Sequence, residues 1–165
     1  MKIKNIGNVF LDTSFMIRLL NSNDSDHKNA LQYFKRFRDN DSKIYFSTIA
    51  VAEYSVGANP ETLPYPFLTL IPFNFDHAKL TAIFAKATFD AKKRGSIELE
   101  HRVIIPNDTK LMAQAEVLKI DLFIARDKNC ITVYNFLKEE GLTSFEYLDL
   151  RKPPNEFFEE LFPEM

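Results

Sequence analysis

Short apolar runs alternate with stretches of helical spacing along almost the whole chain, and this alternation narrows the possible folds more than any other feature. Ile6 to Leu11 reads as a buried strand. A helix over 13–20 follows, then a turn, then a second helix over about 26–39, where Ala30, Leu31, Phe34 and Phe37 recur at helical spacing. Ile44-Tyr45-Phe46 is the next strand, and Ser47 or Thr48 is placed to cap the helix carrying Glu53. Leu68 to Phe73 gives a short third strand. Asp76 is the expected cap of a long helix that Gly95 ends, with Leu80, Ile83, Phe84, Ala87 and Ala91 on one face. Val103-Ile104-Ile105-Pro106 leads into a helix capped by Asn107 or Asp108. Leu122-Phe123-Ile124 is a strand, a helix closed by Gly141 follows, and Phe145 to Leu150 is the last strand. Strands separated by helices predict an α/β fold: a three-layer α/β/α sandwich around a central parallel sheet, because parallel neighbours need crossovers that cover both faces. Right-handed crossovers put the C-terminal ends of all strands on one edge, where such sheets bind ligands.

At 165 residues the chain suits one domain, here 1–150, with a tail over 151–165 that carries Phe157, Phe158, Leu161 and Phe162 among glutamates. That apolar stripe has two expected docking places, the chain's own core or a second subunit. The 16 Phe residues fall inside apolar runs and read as core filling. Cys130 is the single cysteine, so no internal disulfide is possible. With no apolar signal segment near Met1, the expected compartment is the cytoplasm. Net charge is −2, which argues mildly against nucleic acid as a partner. Setting aside acids gathered at one centre leaves a slightly basic remainder, with Lys35-Arg36-Phe37-Arg38 and Lys92-Lys93-Arg94 read as solvated helix faces.

Four acids stand at positions that the topology can bring together. Asp12 closes the first strand, Glu53 lies about two helical turns after the second, Asp108 opens a helix, and Asp127 follows the fourth strand. Each has an ordinary reading as a helix cap, a turn residue or a solvent-facing glutamate. On one sheet edge they would repel each other and raise each other's pKa. A hard divalent cation relieves that repulsion, since Mg²⁺ takes carboxylate oxygens and keeps several waters. The chemistry implied is phosphodiester hydrolysis by water, with no protein nucleophile.

The local motifs point the same way. Val9-Phe10-Leu11-Asp12-Thr13-Ser14 resembles the opening of a PIN domain. Ser47-Thr48-Ile49-Ala50-Val51-Ala52-Glu53 resembles its second motif, Asn107-Asp108-Thr109-Lys110-Leu111-Met112-Ala113-Gln114-Ala115 its third, and Leu122-Phe123-Ile124-Ala125-Arg126-Asp127 its fourth. The resemblance implies Mg²⁺ or Mn²⁺, held by Asp12, Asp108 and Asp127, and cleavage of single-stranded RNA. It assigns orientation of a metal-bound water to Glu53, and the holding of a metal water or phosphate oxygen to Ser14. For the VapC-type bacterial toxins it further implies a homodimer and a small antitoxin, whose Arg or Lys reaches Asp12 or Asp108. The antitoxin's apolar segment is expected near Phe15, Leu19 and Phe34. Ala125 departs from the family, which often has Thr at that position, and leaves open the alternative of a PIN-like module that binds RNA or protein without cutting.

Other enzyme classes lack their residues. A haloacid-dehalogenase-type phosphatase needs Asp where this chain has Ser14, and no Gly-x-Ser-x-Gly elbow exists. No Gly-rich phosphate loop appears. His27, His77 and His101 lack metal-ligand spacing, and His77 and His101 are expected at the surface.

Overall fold

A computed structural model of the chain describes residues 6–99 and 106–161. The Val103-Ile104-Ile105 run, His101 and Phe162 lie outside the described residues. The elements, in order, are β1 (Asn8–Leu11), α1 (Thr13–Leu19), α2 (His27–Asp39), β2 (Lys43–Ser47), α3 (Thr48–Gly57), β3 (Thr69–Ile71), α4 (Phe75–Lys93), α5 (Asn107–Val117), β4 (Leu122–Ala125), α6 (Lys128–Glu139), β5 (Glu146–Asp149) and α7 (Pro154–Leu161). Two 3₁₀ turns, Pro60–Thr62 and Tyr65–Phe67, fill the proline-rich connection before β3. The five strands form one sheet in the order β3-β2-β1-β4-β5, and every neighbouring pair is parallel, as expected.

Strand periodicity divides the core into two layers. Val9, Leu11, Ile44, Phe46, Leu122 and Ile124 point to one face and pack with α1, α2, α3 and α7. Phe10, Tyr45, Phe123 and Ala125, the residues between them, point to the other face and pack with α4, α5 and α6. On that second face the aromatic residues stack across strands. Phe10 and Phe123 lie 5.5 Å apart and nearly parallel, Phe123 meets Tyr147 at 6.1 Å, and Tyr147 meets Tyr134 at 5.1 Å. Most of the abundant Phe is therefore core material, as its placement in apolar runs implies, but Phe67, Phe75 and Phe89 are exposed.

Several local expectations are corrected. The long helix α4 is capped by Asn74, not Asp76: the Asn74 side chain accepts from the His77 N–H at 3.1 Å, and the Asn74 N–H donates to His77 Nδ1 at 3.1 Å. A cap must reach the amide three residues on, and Asp76 already lies inside the first turn, where it pairs with Lys79. The same contact buries His77 (1% exposed), which was expected at the surface. Gly95 and Gly141 end their helices at φ of 75° and 70°, a conformation that costs glycine little. Phe15, Leu19 and Phe34, expected to line an open groove, are buried core residues; the exposed apolar residues of α1 are Ile17 and those at its end such as Leu20. Arg36 and Arg38 are not simply solvated, because their guanidinium groups lie 3.7 Å and 3.8 Å from the ring centroids of Phe158 and Phe67.

Phe157 and Phe158 of the C-terminal stripe dock on the chain's own core. Both are buried against Tyr33 of α2. The Tyr33 hydroxyl donates to the Lys152 carbonyl at 2.8 Å, and Asn29 Nδ2 donates to the Leu150 carbonyl at 3.1 Å. Among the described residues no helix is long and apolar enough to cross a membrane.

Candidate metal centre

The chain order reverses direction between β1 and β4. From β1 the chain builds β2 and β3 outward on one side; it then returns to place β4 on β1's other edge. The helices that follow these two adjacent strands, α1 and α6, pack on opposite faces of the sheet. A crevice must open between them at the C-terminal strand ends. An open cleft of about 600 Å³ lies there, and Asp12, Glu53, Asp108 and Asp127 all line it. The four acids singled out in the sequence thus share one cleft, together with Thr13, Ser14, Asn107 and Lys110.

Asp12 is the most constrained. It caps α1, is only 4% exposed, and its Oδ2 accepts from the Ser14 backbone N–H at 2.9 Å and from the Ser14 hydroxyl. The Ser14 hydroxyl in turn accepts from the Arg126 backbone N–H at 3.0 Å, which ties the end of β1 to the end of β4. Its proton is therefore engaged on Asp12 and is not available to a phosphate oxygen. Burial pushes the Asp12 carboxyl above its usual range, opposed by the Ser14 hydrogen bonds and reinforced by Glu53.

Asp108 lies in the first turn of α5, and its expected capping role is not realised. Pro106 occupies the cap position, so the side chains of Asn107 and Asp108 are both left for the cleft. Burial, followed by the charges of Asp12, Asp127 and Glu53, pushes Asp108 up to about 7. Asp127 does cap its helix: its Oδ1 accepts from the N–H groups of Asn129 at 2.8 Å and Cys130 at 3.1 Å, and its other oxygen is left over. Cys130 lies fully buried behind the acids, and burial together with Asp108, Asp12 and Asp127 drives its thiol pKa well up. Ala125 is likewise fully buried, in the layer formed by α4, α5 and α6.

Glu53 does not face solvent alone. Its Oε2 accepts from the Thr13 hydroxyl and its Oε1 from Asn107 Nδ2 at 2.7 Å. Lys110 Nζ donates to Asn107 Oδ1 at 3.1 Å. Thr13, Asn107 and Lys110 went unremarked as individual site residues. The readable signal was Pro106 at a cap position, which frees the next polar side chains, with Asn107 and Lys110 three apart on one helix face. Basic groups also reach the cleft. Arg18 and Arg126 line it, Arg126 Nε being paired with Asp26 at 2.6 Å and Arg18 Nη1 bound to the Ser14 carbonyl at 3.0 Å.

The donor set suits a hard cation. Both Ser14 hydrogen bonds to Asp12 fall on Oδ2, and among the described residues no donor is bonded to the Asp108 carboxylate. Among the described residues no three His, Cys, Asp or Glu side chains form a ready cage. Carboxylate oxygens of this kind suit a hard divalent cation, since Mg²⁺ is commonly held by one or two carboxylates and keeps its remaining waters.

The electrostatics give a measurable signature. Asp108 in the native state holds a proton up to about pH 7, whereas the unfolded chain releases it near the ordinary value of 3.8. Between those values the native state binds more protons, so stability falls as pH rises. In a chelating buffer the melting temperature of the wild type is expected to drop more steeply from pH 5 to pH 8 than that of Asp108→Asn. Parallel curves for the two proteins would show that Asp108 is not strained by its neighbours.

The sequence model of the PIN domain matches residues 9–136. No curated protein matches the chain by sequence. Among solved structures, the chain is similar to one of VapBC2 from Rickettsia felis, crystallised bound to a DNA fragment from its promoter, at 16% identity and a TM-score of 0.55, covering 86% of this chain and 99% of that one. It is also similar to VapC20 of Mycobacterium tuberculosis, a toxin that cleaves the sarcin-ricin loop, at 16% identity and a TM-score of 0.52, covering 74% of this chain and 92% of that one.

Proposed function

We propose that this chain, which belongs to the PIN-domain family, is a metal-dependent endoribonuclease that hydrolyses phosphodiester bonds of single-stranded RNA, and that it is the toxin of a toxin–antitoxin pair. The observation that carries the reading is Asp108: a carboxylate with no hydrogen-bond donor among the described residues, raised to about 7 by burial and by the acids around it, in a cleft whose walls also carry Arg18, Lys110 and Arg126. Such a group is poorly stabilised without a cation, and the basic side chains beside it suit a polyanion. The likeness to VapC20 and VapBC2 motivates the toxin assignment and the RNA substrate.

Asp12 and Asp108 are the residues that would hold Mg²⁺ or Mn²⁺, with the spare oxygen of Asp127 in support. Such an ion supplies Lewis-acid stabilisation of charge on a phosphoryl oxygen. Ser14 holds Asp12 in place rather than contacting substrate. Glu53 orients the attacking water, since each of its oxygens keeps a lone pair beyond the bonds from Thr13 and Asn107. Arg18, Lys110 and Arg126 contact the phosphates that flank the cleaved one.

The direct test is incubation of purified protein with single-stranded RNA in EDTA, Mg²⁺ or Mn²⁺. Cutting is expected only with metal; full activity in EDTA overturns the reading. Absence of both cutting and Mn²⁺ binding by calorimetry would leave a PIN-like binding module. A homodimer and a small antitoxin complete the proposal, the antitoxin placing an Arg on Asp12 or Asp108, because a guanidinium can bind a carboxylate through two parallel hydrogen bonds. Its apolar contacts would fall near the exposed Ile17 and Leu20. A small protein co-purifying from the native host, and a dimer by light scattering, are the expected results.

A further inference from the structure

We propose that Asn107, its amide oriented by Lys110, is the positioning residue that aims the Glu53 carboxylate into the cleft; the inference rests on the nuclease reading above. A glutamate on the face of a helix ordinarily samples several rotamers. Here its two oxygens are held from two different helices, Oε2 by Thr13 of α1 and Oε1 by Asn107 of α5. Donors on both sides fix the plane of the carboxylate as well as its place.

An asparagine amide is nearly symmetric in shape, so its direction is set by what it meets. The ammonium of Lys110 donates only, and it lies 3.1 Å from Asn107 Oδ1. The amide nitrogen must then face Glu53, where it makes a hydrogen bond to a charged acceptor at 2.7 Å. Reversal of the amide would set oxygen against carboxylate and nitrogen against ammonium, two repulsive contacts for two attractive ones. The cap supplies the opportunity. With Pro106 at the end of α5, the Asn107 side chain is not spent on a backbone amide, and Lys110 sits one turn on, on the same face.

The test uses the full chain and the variants Asn107→Ala, Lys110→Met, Asn107→Asp and Glu53→Gln/Asn107→Asp. With single-stranded RNA and Mn²⁺, Asn107→Ala is expected to lower kcat about 10- to 100-fold, as loss of an orienting partner does. KM, and Mn²⁺ affinity by calorimetry, should stay within about threefold of wild type, since the groups that bind are untouched. Lys110→Met is expected to lose less in kcat, roughly three- to tenfold, because the amide is freed to turn but not removed, and to raise KM as well through the lost phosphate contact. A second readout does not depend on activity. In EDTA, Asn107→Asp sets two carboxylates together and should lower the melting temperature by about 2–6 °C; adding Glu53→Gln restores a donor–acceptor pair of reversed direction and should recover most of that loss. Wild-type kcat in Asn107→Ala, a loss that falls on KM or metal affinity instead, or no recovery in the double variant would overturn the proposal. A wild type that cuts no RNA overturns the nuclease reading and the positioning role with it, while recovery in the double variant would still identify Asn107 as the structural partner of Glu53.

Discussion

Asp12→Asn and Asp108→Asn are each expected to abolish RNA cutting, by at least about 100-fold in kcat/KM, while both proteins stay folded. The choice of Asn matters at position 12. The Asp12 side chain also caps α1 by accepting from the Ser14 N–H at 2.9 Å. Asn caps a helix about as well as Asp, whereas Ala forfeits roughly 0.5–2 kcal/mol. Asp12→Asn thus removes the charge and keeps the cap, and Asp12→Ala removes both. In EDTA the Asn variant should melt no lower than wild type, because it relieves a buried charge beside Glu53 and Asp108. Mn²⁺ should raise the melting temperature of the wild type by binding only the folded state, and that of either variant less. An Asp12→Asn protein that cuts like wild type, beside an Asp12→Ala protein that is merely unstable, would reduce Asp12 to a helix cap. At position 108 no such double role exists, as Pro106 is the cap of α5. Loss of activity in Asp108→Asn therefore reads directly on the chemistry.

Deleting the residues after Pro154 is expected to cost stability rather than activity. The deletion removes Phe157 and Phe158, which are 7% and 6% exposed, and uncovers Tyr33, which is fully buried. Burying a Phe side chain stabilises by about 1.5–3 kcal/mol. Ordering a short helix opposes that gain, so the net loss is smaller than two such side chains would suggest, and the melting temperature is expected to fall by several degrees, at roughly 2–4 °C per kcal/mol for a chain of this size. Among the described residues none of α7 lines the acidic cleft, so cutting measured well below the melting transition should be unchanged. The single change Phe158→Ala should account for a large share of the loss, because it also removes the ring beneath the Arg36 guanidinium. An unchanged melting temperature in the truncated protein would show that α7 contributes nothing to the fold. Conversion of a dimer to a monomer at unchanged stability would move the stripe's role to self-association.

The parallel sheet and its covering helices were legible in the sequence because they rest on short-range rules. Alternation of Phe10 with Val9 and Leu11, or of Phe123 with Leu122 and Ile124, needs only neighbouring residues to assign two faces. The end of β1 at Asp12 and of β4 before Asp127 then followed from length, and parallel topology carried both to one edge. The four acids of the cleft are therefore readable from the sequence alone. Their partners are not. Thr13 and Glu53 are 40 residues apart, Glu53 and Asn107 are 54 apart, and Ser14 and the Arg126 backbone are 112 apart. Contacts at such separations leave no periodicity and no local composition to read. Two caps went the wrong way for a related reason. Asn74 and Asp76 are both good caps, as are Asn107 and Asp108, and intrinsic preference does not choose between candidates a residue or two apart. Packing chose, by burying His77 against Asn74 and by starting α5 at Pro106. The docking of Phe157 and Phe158 was decided the same way: an amphipathic stripe announces that it must be covered, but only the tertiary structure shows that the face of α2 around Tyr33 is what covers it.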